Sequence, residues 1–150
     1  MHGYQHTTVN LTATSITCGA LILAGYAETA LALGAGLAFG TLLVTPDLDL
    51  HRNDARRRWG KMRFIWAPYA ALSRHRGMSH TYLAGPTIRL AYLALWAAPL
   101  VWGAQHLQIT PTLPSWNHMT IAVIGYFLAQ WLHLLCDGIM PLDRSHHTRR

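Results

Sequence analysis

Histidine and aspartate, residues that bind divalent metals readily, recur here at one kind of place: the ends of long apolar runs. His6 precedes the first run, and Pro46-Asp47-Leu48-Asp49 closes the second. His75-Arg76-Gly77-Met78-Ser79-His80 opens the third, and His133-Leu134-Leu135-Cys136-Asp137 closes the fourth. If the runs are helices that alternate up and down, all four places lie on one side of the bundle. Imidazoles and carboxylates from both ends of the chain then share one small volume. The chemistry this predicts is metal binding.

Each motif has its own logic. Asp47 and Asp49 are two apart after a proline that disfavours helix at Thr45, so both carboxylates fall on one side of an extended stretch or turn. They could bind one ion or bridge two. His133 and Asp137 are four apart, on one helical face, where both can bind an ion or the aspartate can orient the imidazole. A lone histidine in an apolar run is usually a satisfied core residue, but an ionisable partner inside a membrane-length run reverses that expectation. Ser79 is the expected N-cap of the third helix, with His80 in its first turn and His75 on the approach. Arg76 is a fixed cation suited to a phosphate or carboxylate. His2, His51, His106, His118, His146 and His147 lack comparable partners and are expected to be non-ligands.

The elements that must position these groups are four apolar runs, at residues 9–27, 30–44, 81–102 and 119–136. Each is at or slightly below the ~20 residues that span a bilayer core, and the first two are short enough to suit a buried hairpin in a soluble bundle as well. Charge placement favours the membrane. Arg52, Arg56, Arg57, Arg58, Lys61, Arg63, Arg74 and Arg76 all lie between the second and third runs, and Arg144, Arg149 and Arg150 follow the fourth. The connection around Glu28 and the one at residues 103–118 carry no lysine or arginine. Cytoplasmic loops show this bias. The expected fold is an all-α, four-helix up-down membrane bundle forming a single domain over residues 1–150. Its central basic-aromatic loop and both termini would face the cytoplasm, in the inner (plasma) membrane. Gly36 and Gly40 allow a close helix approach, and Arg89, within the third run, should face the bundle or reach its cytoplasmic end.

Composition narrows the classes further. Charged residues make up 12% of the chain, about half the ~25% of a soluble domain. Cys18 and Cys136 form no C-x-x-C pattern, which excludes a zinc ribbon and argues against a disulfide framework. The N-terminus shows no basic region before a hydrophobic stretch, so no cleaved signal peptide is expected. Residues 56–69 mix arginine with tryptophan, as suits a lipid headgroup layer; the neighbouring apolar runs favour lipid over nucleic acid as the partner.

The ordered set of an early histidine, Pro46-Asp47-Leu48-Asp49, His75-Arg76-x-x-Ser79-His80 and His133-x-x-x-Asp137 resembles the bacterial membrane-bound metal-dependent hydrolases. Asp47-Leu48-Asp49-Leu50-His51, Arg58-Trp59-Gly60, Ile65-Trp66-x-Pro68-Tyr69 and His75-Arg76 resemble more closely a branch described only as metal-binding proteins. The resemblance implies metal ligation by His6, Asp47, Asp49, His75, His80, His133 and Asp137. The leading expectation is metal-assisted hydrolysis of a phosphoester or lipid-like substrate at the cytoplasmic face, with Asp49 activating or bridging water and Arg76 binding the anionic group. The mixed donor set favours zinc, then manganese or iron. The alternative is a non-enzymatic metal-binding membrane protein: a sensor, a scaffold or a subunit of a larger assembly. The bilayer is the expected partner, an anionic lipid or phosphoester the expected substrate, and oligomerisation is compatible with either reading.

Overall fold

The computed structural model describes residues 3–50, 53–73, 78–110 and 112–140. Its helices are α1 (Gly3–Leu23), α2 (Ala27–Leu42), α3 (Asp54–Arg58), α4 (Trp66–Leu72), α5 (Ala84–His106) and α6 (Trp116–Cys136). Short 3-10 turns at Pro46–Asp49, Gly60–Ile65 and Met78–His80 link them, and no strand occurs among the described residues. The four apolar runs are all helical. Three stretches, Ala27–Asp49, Ala84–His106 and Trp116–Cys136, are long and apolar enough to cross a membrane. The first helix has the length, at 21 residues, but a more polar surface. Its threonines turn inward on their own backbone: Thr7 Oγ1 donates to Gly3 O, Thr8 Oγ1 to Tyr4 O and Thr14 Oγ1 to Asn10 O. That pattern satisfies hydroxyls without water.

Glycines bring α2 and α6 into backbone contact. A Cβ on Gly36 would overlap the Ala122 carbonyl oxygen, and one on Gly125 would overlap the Leu33 carbonyl oxygen. On Gly40 a Cβ would stand 2.9 Å from Ala129 Cβ and from Gln130 Nε2. The spacing from Gly36 to Gly40 therefore has a packing reason, and Gly125 supplies its counterpart on the facing helix. Helix α1 lies against this pair, with Cys18 Sγ meeting the surface left bare by Gly34 and Asn10 Nδ2 donating to Ala129 O at 3.1 Å.

Two expectations need correction. The four long helices do not pack as one even bundle. Helix α5 is held through its first turns, where Gly85, Pro86 and Arg89 are buried and Tyr126 donates to Pro86 O at 3.1 Å. Residues 94–102 of α5 are all exposed, among them Leu95, Leu100 and Trp102. The basic-aromatic connection, expected as a loop, contains short helices and packs on the helix ends. Trp66 is fully buried in a core with Val44, Leu48, Ala55, Tyr69 and Tyr126. Trp59 packs edge-on against Trp66 at 5.4 Å, while its Nε1 donates to Leu43 O at 2.9 Å. Arg58 Nη1 donates to Leu42 O at 3.1 Å. These bonds satisfy carbonyls that the end of α2 leaves without helical partners. The segment folds as a cap over the helix ends, with Arg57, Lys61 and Arg63 on its outer surface.

Candidate metal centre

Four separate elements deliver the donor groups to one end of the helices. Helix α1 begins at Gly3, so His6 sits in its opening turns rather than before it, 3% exposed. Pro46 starts the 3-10 turn that follows α2 and carries Asp47 and Asp49. His80 ends the turn at Met78–His80, and α6 contributes His133 and its C-cap, Asp137. Gly138 follows at φ +74°, a left-handed conformation that glycine adopts without strain and that ends the helix there.

The side chains form an alternating series. His6 Nε2 lies 3.1 Å from Asp137 Oδ1, and Asp137 Oδ2 lies 3.6 Å from His133 Nε2. His133 Nε2 is also 3.6 Å from Asp47 Oδ2, and Asp47 Oδ1 is 3.7 Å from His80 Nε2. His80 Nδ1 then faces Asp49 Oδ2 at 3.8 Å. The His6 and His133 rings stack, with centroids 4.0 Å apart. Most of these separations are too long for charge-assisted hydrogen bonds, which run ~2.7–2.9 Å. They match donors that share an ion: with bonds near 2.1 Å, the edge of a coordination tetrahedron is about 3.4 Å. His133 Nε2 tests the fit most sharply. It is buried, has no hydrogen-bond partner and lies between two carboxylates at equal distance. An unmade hydrogen bond on a buried polar atom costs roughly 1–3 kcal/mol, and a cation between the carboxylates would remove that deficit.

The cluster thus brings together His6, Asp47, Asp49, His80, His133 and Asp137. Asp49 stands apart in one respect: it faces the ring nitrogen of His80 opposite the one turned to Asp47, and its side chain has no exposure. Among the described residues, the sets of three whose donor atoms are close enough to share an ion are His6, His133 and Asp137, and Asp47, His80 and His133. His75 and Arg76 lie outside the described residues. Ser79 is not the N-cap of α5, which begins only at Ala84. Its hydroxyl meets the Tyr69 hydroxyl at 2.9 Å, and Thr81 Oγ1 instead accepts the Gly85 N–H at 2.7 Å. At the far end of the helices His118 meets Glu28 at 3.3 Å and His106 stacks on Trp102, away from the cluster as expected.

Beneath the cluster Arg89 faces the bundle, as the sequence suggested, but the polar layer it forms with Gln130 was not read from the motifs. Arg89, fully buried, donates from Nη1 to Ser79 O and from Nη2 to Gln130 Oε1, both at 2.9 Å. Gln130 Nε2 donates to Gly40 O at 3.2 Å and to Val44 O at 2.8 Å. One network thereby ties the His80 turn, the end of α2 and the last turns of α6 to α5. Arg89 is the sixth residue of the 23 in α5, short of the helix centre, where an arginine would disfavour membrane insertion by about 2.5–3.5 kcal/mol. Two hydrogen bonds to a charged group, at about 1.5–3 kcal/mol each, offset that. Asn10 lies one turn from His6; its Oδ1 and His6 Nδ1 are both buried without partners. The available signal was position: Gln130 is three residues before His133, and Asn10 four after His6.

Fold and site define a helical protein with three membrane-length segments and a buried histidine–aspartate cluster where helix ends converge. Residues 1–147 match the family described as uncharacterized metal-binding protein (DUF2227), and the chain belongs to that family. An uncharacterized protein of Aquifex aeolicus (strain VF5) is 42% identical over 60 residues, which cover 40% of this chain and 43% of that relative. No solved structure matches.

Proposed function

We propose a membrane-embedded metal-binding protein that hydrolyses a phosphoester or lipid-like substrate at the cytoplasmic face of the inner membrane. The observation that carries the metal reading is the buried, unpartnered His133 Nε2 between Asp47 and Asp137. His6, Asp47, His80, His133 and Asp137 would hold the metal, zinc before manganese or iron on the mixed donor set. A divalent ion held there supplies Lewis acidity and stabilises negative charge developing on a phosphoryl oxygen. Asp47, whose side chain is 22% exposed, is the most open donor and the side from which substrate would approach. Asp49 faces the far nitrogen of His80 at 3.8 Å, a place that suits positioning of the ring better than activation of water. Arg76 is retained as the anion-binding group through the resemblance of the His75-Arg76 motif. The basic cap sets the orientation: residues 52–76 and both termini on the cytoplasmic side.

A second reading, metal binding without catalysis, is favoured by burial: His6, His80 and His133 are at most 6% exposed. The two readings part in one experiment. Detergent-purified, zinc-loaded protein is assayed against a phosphodiester probe and phospholipid vesicles, beside Asp47→Asn and His118→Ala. Hydrolysis lost in Asp47→Asn and kept in His118→Ala supports the enzyme. Bound zinc with no turnover of either probe supports the binding protein.

A further inference from the structure

The donor atoms are strung out rather than gathered around a point. Two donors on one ion stand no farther apart than twice the bond length, about 4.4 Å for zinc or a similar ion. Among the described residues the donors divide into two groups, His6, His133 and Asp137 on one side and Asp47, His80 and His133 on the other. Within each group the atoms lie within 4.8 Å of one another. His133 is common to both, yet one imidazole nitrogen holds one ion. Asp47 resolves the overlap, because its two oxygens face different groups: Oδ2 lies 3.6 Å from His133 Nε2, and Oδ1 lies 3.7 Å from His80 Nε2.

We propose that this is a two-ion centre bridged by Asp47. His6, His133 and Asp137 form the first position, with Asp47 Oδ2 reaching it beside His133, and His80 with Asp47 Oδ1 forms the second. The first is furnished by three protein groups whose donor atoms lie within 4.8 Å of one another. The second has two among the described residues, His80 and Asp47. Asp47, Asp49 and Asp137 bring three negative charges to a largely buried volume that also holds the neighbouring, fully buried Arg89. Arg89 offsets one of the three, so one divalent ion brings the volume to neutrality and a second leaves two positive charges, which suit an anionic substrate.

This inference rests on the metal-binding reading but fails separately from it. The test is Mn2+ stoichiometry on full-length protein in detergent, by equilibrium dialysis and elemental analysis, with electron paramagnetic resonance of the loaded sample. The expected result is two ions per chain and an exchange-coupled spectrum, as for ions about 3.5–4 Å apart. His6→Ala and His80→Ala should each retain one ion and lose the coupling. The wild-type count and spectrum decide the matter even if a variant does not fold. Saturation at one ion, or two ions without coupling, overturns the bridged centre while leaving metal binding intact. No bound Mn2+ or Zn2+ overturns both.

Discussion

Replacing Asp137 by Asn isolates the charge of one carboxylate from its shape. Its oxygens lie 3.1 Å from His6 Nε2 and 3.6 Å from His133 Nε2, and the side chain is 11% exposed. The amide has nearly the same volume, so packing at the end of α6 is kept, as is the backbone bond from the Asp137 N–H to His133 O at 3.1 Å. What changes is the donor set. Loss of a group that merely orients a metal-bound histidine costs about 10–100-fold in affinity, roughly 1.4–2.7 kcal/mol. A direct ligand should cost more, so the expected fall in zinc affinity exceeds 100-fold. A solvated helix terminus would instead tolerate the change within about 0.5 kcal/mol. The assay is zinc content by elemental analysis after dialysis against a graded chelator, with His118→Ala as control at the opposite end of the helices. Equal zinc in wild type, Asp137→Asn and His118→Ala would refute the assignment of Asp137 and with it the role of the α6 terminus.

Gly36→Ala drives a methyl group into the Ala122 carbonyl, which no rotamer change relieves, so α2 and α6 must part. Overpacking of this kind typically costs about 1–3 kcal/mol; a lower unfolding temperature together with weaker zinc retention is expected, and an unchanged pair of values would refute the close approach. Orientation is checked in a background without Cys18 and Cys136, using Lys61→Cys on the basic cap and Leu113→Cys in the connection before α6. The first should react with a membrane-impermeant maleimide only from the cytoplasmic side and the second only from outside; reaction of both from one side would overturn the topology.

What could be read from the sequence was whatever a local period or a short spacing encodes. The apolar runs declared the long helices, and their ends shifted by only a few residues; α1 starts at Gly3 rather than near Val9 because threonine hydroxyls can bond to the helix itself. The spacing of His133 and Asp137 declared a shared face, which the 3.6 Å contact bears out. Long-range pairings were harder to see. Nothing local to Gln130 says that it will hold Arg89 and two α2 carbonyls, since those partners lie 41, 90 and 86 residues away. Arginine and tryptophan in residues 56–69 suit a headgroup layer and a folded cap alike. Only the burial of Trp66 against Val44 and Tyr126 separates the two.

The polar layer also explains how so many charged groups can share a small volume without unravelling the helix ends. Carboxylates this close repel one another, and each would drift toward water if its backbone were free. Here the backbone is held from below. Arg89 holds Ser79, the residue before His80, and Gln130 holds the α2 end that leads into Asp47. Asn53 reinforces this from the cap, donating from Nδ2 to Leu50 O at 2.9 Å and to Asp47 O, while its Oδ1 receives the Arg56 N–H. Donor positions are thereby set by neutral and cationic groups that do not themselves face the cluster. Such preorganisation leaves the carboxylate repulsion as the quantity that cation binding relieves. Buried imidazoles and aspartates on four different elements are understandable on those terms: the polar scaffold fixes their spacing, and the ion supplies the missing charge.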